Sequence, residues 1–251
     1  MKFSFFKILL AASVCLAGWS CSKDGTSDTV AAATNTGKGG SLSKFTIVGN
    51  FLYAVDNNYL YSYDISNPVN PLKTSTTPLM FIVETIYPYN NKLFIGTSAG
   101  MFIYSIDTPS VPSKLGEARH VRSCDPVVAN DSIAFVTLKG NTRCGPAVSG
   151  LYVHDIKNIL LPVLIKTLPI ASPEGLGLEG SVLYICCNND GLKVFNIANP
   201  ANPVEIRTIT GAYFKDVIPY GNLLICYVNT GIILYDISNP TNPVFVKLIA
   251  D

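Results

Sequence analysis

The chain has 251 residues, of which 48% are hydrophobic and 14% are charged, and this is enough apolar sequence for the core of one domain. Its formal net charge is +1, and removal of the first twenty residues would take away Lys2 and Lys7 and leave 16 basic against 17 acidic side chains. This near-neutral balance argues against a nucleic-acid partner, which requires a basic surface to displace counterions.

The first twenty residues are predicted to be a targeting signal. Two lysines precede an apolar stretch from Ile8 to Trp19 that is too short to span a bilayer. Small residues then lead to Cys21, and this arrangement resembles the bacterial lipobox, where signal peptidase cuts before the Cys and the Cys is lipidated. The resemblance implies that residues 1–20 are a signal peptide and that Cys21 carries a lipid anchor to the membrane. Ordinary signal cleavage of a secreted protein is the alternative.

Residues 21–42 are predicted to be a flexible tether, because they are rich in Ser, Thr, Gly and Ala and show no apolar periodicity. The beginning of the processed chain, from Cys21 to Asp24, resembles lipoproteins of the Bacteroidota type. No Asp directly follows the Cys, so nothing resembles a signal for retention in the inner membrane. The resemblance implies a protein anchored in the outer membrane, on either its periplasmic or its cell-surface side.

Five versions of one phrase occupy the rest of the chain. The phrase is clearest as YDISNP, which appears both at Tyr63–Pro68 and at Tyr235–Pro240. Its Ile recurs at steps of 41, 50, 41 and 40 residues. The five copies of this residue are Ile65, Ile106, Ile156, Ile197 and Ile237. A fixed period near 40 residues predicts a repeat architecture.

Each repeat contains the pattern of a small antiparallel sheet. In the fifth copy, short apolar strands are separated by turns rich in Gly, Asn and Pro. The strands are predicted at Asp216–Tyr220, Leu223–Tyr227, Ile232–Ile237 and Val244–Ile249. Because four such strands form the blade of a propeller, we predict an all-β fold, a five-bladed β-propeller over residues 43–251. The blades are expected at about 43–78, 79–118, 119–168, 169–209 and 210–251.

The phrase also carries a family resemblance. Residues 235–243, YDISNPTNP, preceded by the segment Lys215–Val217, resemble the LVIVD-repeat proteins, a family of bacterial β-propellers. The similarity covers the whole domain and is sharpest in the first, fourth and fifth copies. It implies the fold and an envelope location, and it implies no reaction. Because no strand is visibly exchanged to lock the ring, we expect apolar contact between blades to close it, with an open or six-bladed ring as the alternative.

Acidic residues recur near the start of each first strand, where a propeller has the mouth of its channel. Four acids and one lysine occupy these positions: Lys44, Glu84, Asp125, Glu174 and Asp216. Such a ring could hold a cation or sugar hydroxyls, or could supply paired carboxylates for glycoside hydrolysis. An acid beside a strand start also commonly accepts hydrogen bonds from loop N–H groups and only fixes the blade, which is the structural alternative.

The connections that lead into these strands are aromatic and basic. Besides Phe81, the residues concerned are Arg119, His120, Arg122, Tyr213, Phe214 and Lys215. A rim of this composition suits a glycan, a peptide or an anionic ligand. These residues and the four acids are therefore our candidates for ligand binding.

Two cysteines are predicted to form a disulfide. Cys144 lies in an insertion that lengthens the third copy, and Cys124 lies at the head of the first strand of the same copy. The repeat places both on the same face, and the envelope is oxidising, so a Cys124–Cys144 bond would hold the inserted loop over the mouth. Two unpaired thiols are the alternative. Cys186 and Cys226 are predicted to be buried apolar residues in second strands.

The sequence argues against a dinucleotide site, a catalytic triad and a zinc site. Residues Gly175–Gly180 match G-x-G-x-x-G, but the repeat places them in a strand and its turn, whereas a dinucleotide site requires a following helix. His154 replaces an aromatic residue of the phrase, and His120 has no identified nucleophile as its partner, so no catalytic triad is recognised. The cysteine spacing and the scarcity of His argue against zinc. We expect no cofactor and no metal.

Three functions remain compatible with the sequence. The first is a non-enzymatic, lipid-anchored module that binds a glycan or another envelope protein at the mouth. The second is a hydrolase or lyase acting on polysaccharide, which would use two of the four acids as catalytic carboxylates. The third is a structural scaffold without a small ligand.

Overall fold

A computed structural model describes residues 39–119, 126–140 and 148–250. Over these ranges the chain forms twenty β-strands and no helix. The described ranges therefore contain no helix that could cross a membrane. In chain order the strands are β1 Phe45–Val48, β2 Phe51–Val55, β3 Tyr59–Asp64, β4 Leu72–Pro78, β5 Val83–Tyr89, β6 Lys92–Thr97, β7 Gly100–Ser105, β8 Ser113–Arg119, β9 Val127–Ala129, β10 Ile133–Leu138, β11 Gly150–Asp155, β12 Val163–Pro169, β13 Leu176–Glu179, β14 Val182–Cys186, β15 Leu192–Asn196, β16 Val204–Ile209, β17 Phe214–Tyr220, β18 Leu223–Val228, β19 Gly231–Asp236 and β20 Val244–Ala250.

The strands form five antiparallel sheets, each made of four consecutive strands. We number these sheets blade 1 (β1–β4) to blade 5 (β17–β20). The first strands of successive blades contact one another and surround a central channel. The prediction of a five-bladed β-propeller is confirmed. Within the described ranges no strand is exchanged between sheets, as the sequence predicted.

The repeated phrase forms the turn between the third and fourth strands. In blade 5, Asp236 accepts a hydrogen bond from the N–H two residues later at 2.7 Å, and Asn239 does the same at 3.2 Å. The N–H of Ile237 donates to the carbonyl of Asn222, in the turn between the first two strands, at 2.8 Å. Blade 1 repeats these bonds. Turn geometry therefore explains why these residue types recur at this spacing.

Each blade has a front face, which is turned towards the preceding blade, and a back face, which is turned towards the following one. Apolar clusters join blades 1 and 2, 2 and 3, 3 and 4, and 4 and 5. Between blades 4 and 5, the buried Tyr184 shares a cluster with Leu224 and donates its hydroxyl to the carbonyl of Pro240 at 2.7 Å. Tyr53 and Pro109 make the same bond between blades 1 and 2 at 3.0 Å.

In the part of the chain that the structure describes, no blade packs against the front face of blade 1. The strand register makes Phe45 equivalent to one apolar residue of each other blade, namely Ile86, Val127, Leu176 and Val217. Those four side chains are 0–1% exposed, whereas Phe45 is 63% exposed. The shared Ile of the phrase follows the same rule, since it is buried in blades 2 to 5 and only half-buried as Ile65 in blade 1.

The back face of blade 5 is open in the same way. Ile232 occupies the position of Leu60, Met101, Leu151 and Leu192 in the other blades. Those four residues are 0–1% exposed, and Ile232 is 37% exposed. Tyr227 lies beside it and is also exposed. Four junctions of the described chain are thus packed and the fifth is not, so the expectation that apolar contact closes the ring is wrong.

The two rejected motifs lie where the repeat predicted. Gly177 and Glu179 lie in strand β13, and the strand β14 follows after a turn at Gly180, whose φ is +55°. His154 lies in strand β11, is buried, and pairs with Ala134 as the equivalent aromatic residues pair in their own blades. Packing in a sheet therefore accounts for both.

Candidate functional site

The mouth is the side of the ring that carries the loops between second and third strands and the connections between blades. All first strands begin there, so the acids near their starts lie on this side. Three of the predicted acids, Glu84, Glu174 and Asp216, belong to the described part of the chain. Asp125, His120 and Arg122 lie outside the described residues.

Asp216 is half-buried and accepts hydrogen bonds from the segment that precedes β1. The hydroxyl of Ser41 donates to its Oδ1 at 3.1 Å, and the N–H of Leu42 approaches Oδ2 at 3.4 Å. The same hydroxyl accepts the N–H of Leu176, in blade 4, at 2.7 Å. Burial raises the pKa of Asp216 to about 6, while the hydrogen bonds from Val217, Leu42 and Ser41 act in the opposite direction.

Two glycines allow this close approach. A Cβ on Gly40 would lie 2.2 Å from Oδ2 of Asp216, and a Cβ on Gly175 would lie 2.1 Å from its Oδ1. Any larger side chain at either position would therefore collide with the carboxylate. The glycine of the rejected dinucleotide motif thus has a packing role.

The other two described acids have their own partners. Glu174 forms an ion pair with Lys139 and accepts a hydrogen bond from the amide of Asn188 at 3.1 Å. Lys44 donates to the carbonyl of Val83; burial lowers its pKa, and the nearby Glu84 partly offsets this effect. The described acids therefore do not face one open cleft together.

Residues 40–43, which we call the cap, close the mouth end of the channel. Besides the bonds to Asp216 and Leu176, the carbonyl of Ser43 accepts the N–H of Ile86 at 2.9 Å. The cap thus contacts the first strands of blades 2, 4 and 5. Residues 39–42 were predicted to end a flexible tether, and the structure instead holds them against the propeller.

Beyond the cap, the channel contains a cavity of about 280 Å³. Gly39 lies at its lining together with apolar residues of the first strands and the rings of Tyr87 and Tyr89. Burial raises the pKa of Tyr87 to about 12, so its hydroxyl stays protonated at physiological pH. The cavity is mostly apolar, and the predicted acids are not among its lining residues.

A second recess lies on the mouth side between blades 1 and 2, and we call it the aromatic cleft. It has a volume of about 160 Å³. Its apolar walls are Leu79, Phe81, Phe102 and Tyr104, and its rim carries Lys114 and Arg119. Of the predicted rim residues, Arg119 and Phe81 are therefore brought together here.

The two cations of the aromatic cleft are held over its rings. The guanidinium of Arg119 lies 5.4 Å from the centre of the Phe81 ring, and the Nζ of Lys114 lies 4.8 Å from that of Phe102. Both cations also pair with Glu117, and their hydrogen bonds hold the pKa of that carboxyl below its usual value. The rim is thus basic, with one carboxylate between two cations.

The remaining rim residues do not form a second patch. Phe214 is fully buried in the cluster between blades 4 and 5, because it begins strand β17 and pairs with Val228. Its predicted position on the rim is therefore corrected. Tyr213 is half-buried, and the Nζ of Lys215 lies 4.9 Å from the ring centre of Tyr227, towards the open face of blade 5.

The cysteines fall into two groups. Cys21, Cys124 and Cys144 lie outside the described residues, so the lipid anchor and the disulfide stay predictions. Cys186 and Cys226 are buried in second strands, where desolvation raises the pKa of both thiols. This burial confirms their predicted apolar role. Across the described ranges, no group of three potential ligand side chains could hold a metal ion.

Comparison with known proteins identifies the repeat. A model of the LVIVD repeat matches residues 39–77, 174–210 and 213–251. The chain therefore contains LVIVD repeats, and they lie in the blades of a β-propeller. The three matched segments correspond to blades 1, 4 and 5, the copies in which the sequence resemblance is sharpest. No curated protein is similar enough to count as a relative of the chain.

Solved β-propellers share the fold at low identity. The computationally designed Ika8 protein is 13% identical, with a TM-score of 0.59 over 81% of this chain and 59% of that one. A protein from Lactobacillus plantarum is 9% identical, with a TM-score of 0.61 over 80% and 68%. A hypothetical selenium-binding protein from Sulfolobus tokodaii is 14% identical, with a TM-score of 0.57 over 80% and 59%. The LVIVD-repeat chain thus spans about three fifths of the first of these proteins, and the likeness shows the fold alone.

Sequence reasoning missed the cap and half of the aromatic cleft. Ser41 and Asp216 are 175 positions apart in the sequence, and no local sequence pattern predicts such a contact. Phe102 and Lys114 lie in β7 and β8, where they look like ordinary strand residues. One available signal was that β7 and β8 are neighbours in one sheet, which brings both residues beside the predicted Arg119.

Proposed function

We propose that this LVIVD-repeat β-propeller is a lipid-anchored binding module of the bacterial outer membrane, and that its ligand is another envelope protein. The anchor is supported by the basic start, the short apolar stretch and Cys21, which together resemble a lipobox. Packing and turn formation account for the residues that repeat. The repeat fold therefore supports an interaction role. The aromatic cleft is the observation that carries the proposal.

The cleft favours an apolar side chain flanked by acidic residues. Its walls are aromatic or aliphatic, and Lys114 and Arg119 stand at its rim. Beside it, Met80 is 90% exposed and Ile82 is also exposed, which extends the apolar surface beyond the recess. Recesses of this kind hold the buried anchor residues of protein partners. The ion pairs with Glu117 are exposed, so they are worth little and leave both cations able to meet an acidic partner.

The hydrolase alternative has weaker support. It needs two carboxyl groups that face an open cleft about 5–10 Å apart. Burial raises the pKa of Asp216, but its carboxylate already accepts hydrogen bonds from Ser41 and Leu42. Glu174 is engaged by Lys139 and Asn188. A polysaccharide that used both oxygens of Asp216 would have to displace the hydrogen bonds from the cap.

The anchor is tested by metabolic labelling with a radioactive fatty acid. The wild-type protein is expected to take up the label and to sediment with membranes. Cys21→Ala is expected to lose both properties, because the thiol that carries the lipid is gone. A labelled, membrane-bound Cys21→Ala protein would contradict the anchor.

The aromatic cleft is tested by binding of detergent-extracted outer-membrane proteins to the immobilised full-length protein. Arg119→Ala and Met80→Ala are each expected to reduce the retained protein by at least about tenfold, the loss typical of a residue at the centre of an interface. Both changes are at exposed side chains, so the fold should persist, and circular dichroism verifies this.

A matched control comes from the corresponding groove between blades 3 and 4. There Lys193 pairs with Glu205 at 2.9 Å, as Arg119 pairs with Glu117, so Lys193→Ala removes an equivalent cation. This variant is expected to retain wild-type binding. Equal retention by Arg119→Ala and wild type would contradict the assignment of the cleft. Retention of a protein-free polysaccharide fraction instead of proteins would show that the ligand is a glycan.

A further inference from the structure

Among the described residues, two apolar faces of the propeller have no blade packed against them. The front face of blade 1 exposes Phe45 and Ile47, and the back face of blade 5 exposes Tyr227 and Ile232. Apolar side chains grouped on the flat side of a sheet are typical of interaction surfaces. These faces lie away from the aromatic cleft and are independent of the proposed function.

The back face of blade 5 is one half of an interface that the chain already makes elsewhere. By strand register, Ile232 and Leu234 occupy the positions of Leu192 and Val194 in blade 4. In blade 4 those two residues are buried against blade 5. These positions are therefore apolar in both blades, but no described blade packs against the back face of blade 5.

The front face of blade 1 is the other half of the same interface. Phe45 and Leu52 occupy the positions of Val217 and Leu224 in blade 5, which pack against the residues of blade 4 just described. An association of Ile232 and Leu234 with Phe45 and Leu52 would thus repeat a contact that occurs at four junctions within the chain.

Closure within one molecule has an obstacle near the axis. The cap lies between the start of β1 and blade 5, and Gly40 is already in tight contact with Asp216. If β1 moved onto β17, the bonds of Ser41 to Asp216 and Leu176 would be broken.

We propose that a second copy of this chain covers these faces, with the back face of blade 5 in one copy packed on the front face of blade 1 in the other. The contact is heterologous, since the two partners contribute different surfaces. Blades of the two copies then follow one another as they do within the chain. When each copy uses both faces, the rotation between copies decides whether they close into a ring or continue as an open assembly.

Two charge substitutions separate the faces experimentally. Phe45→Lys blocks the front face of blade 1, and Ile232→Lys blocks the back face of blade 5. In sedimentation of the purified full-length protein in density-matched detergent, the wild type is expected to reach at least the mass of a dimer as its concentration rises. Each variant alone is expected to associate at least about tenfold more weakly, because every contact needs one face of each kind.

The decisive sample is a mixture of the two variants. The Phe45→Lys chain keeps its back face and the Ile232→Lys chain keeps its front face, so an equimolar mixture is expected to form heterodimers and nothing larger. Leu164→Lys, at an exposed apolar position of the outer strand β12, is the control and is expected to associate like the wild type.

Two results would overturn the proposal. A wild-type protein that stays monomeric up to about 100 μM, well above the range of specific homodimers, would show that the faces do not pair between molecules. Association of the wild type without association of the mixture would show that another surface is used. Circular dichroism of each variant verifies that both chains are folded before they are mixed.

Discussion

Replacement of Tyr184 by alanine is expected to lower the free energy of unfolding by about 3–5 kcal/mol, the range for loss of a fully buried aromatic side chain. Tyr184 has no exposed surface and lies in the cluster between blades 4 and 5. The substitution leaves a cavity at the centre of that junction and removes the hydrogen bond to Pro240. Urea denaturation followed by circular dichroism measures the change.

A second substitution at the same position separates the ring from the hydroxyl. Tyr184→Phe keeps the packing and removes only the bond to the Pro240 carbonyl, so a loss of about 0.5–1.5 kcal/mol is expected. Blades 2 and 3 carry Phe94 and Phe135 at this position, which shows that the junction accepts phenylalanine.

An exposed tyrosine provides the control for these measurements. Tyr220 is 61% exposed, so Tyr220→Ala is expected to change the free energy of unfolding by less than about 1 kcal/mol. A Tyr184→Ala protein as stable as Tyr220→Ala would mean that blades 4 and 5 are not packed as described. The comparison therefore tests one of the four closed junctions.

The strands and turns could be predicted from the sequence because their causes are local. In blade 5, the strand predicted at Leu223–Tyr227 is observed at Leu223–Val228, and the one predicted at Val244–Ile249 is observed at Val244–Ala250. Asp236 and Asn239 bond to groups two residues away, so the repeated phrase contains its own turn. Pattern and structure agree wherever an interaction spans only a few positions.

The candidate site was less predictable because its contacts are distant in sequence. Asp216 was placed correctly at the mouth, but its partners belong to the cap at the other end of the domain. Phe214 was expected in a connection, and its pairing across the sheet with Val228 brings it into the core. The local sequence pattern of an aromatic residue before a predicted strand is the same whether its side chain lies on the rim or in the core.

The open junction could not be predicted from pattern at all. Phe45 and Val217 are both apolar residues of a first strand, and the alternation around them is alike. Their different exposure depends on whether another blade stands in front of them, which is a property of the whole ring. The alternative of an open ring was for this reason left unresolved by the repeat.

The most direct test of the open junction compares replacement by alanine at two equivalent positions. At a concentration where the chain is monomeric, Leu176→Ala, in the closed junction between blades 3 and 4, is expected to lower the free energy of unfolding by about 2–5 kcal/mol. Phe45→Ala, on the open face of blade 1, is expected to lower it by less than about 1 kcal/mol, since its ring is already largely in water. A loss for Phe45→Ala as large as that for Leu176→Ala would show that blade 5 packs on blade 1 and that the five blades close within one chain.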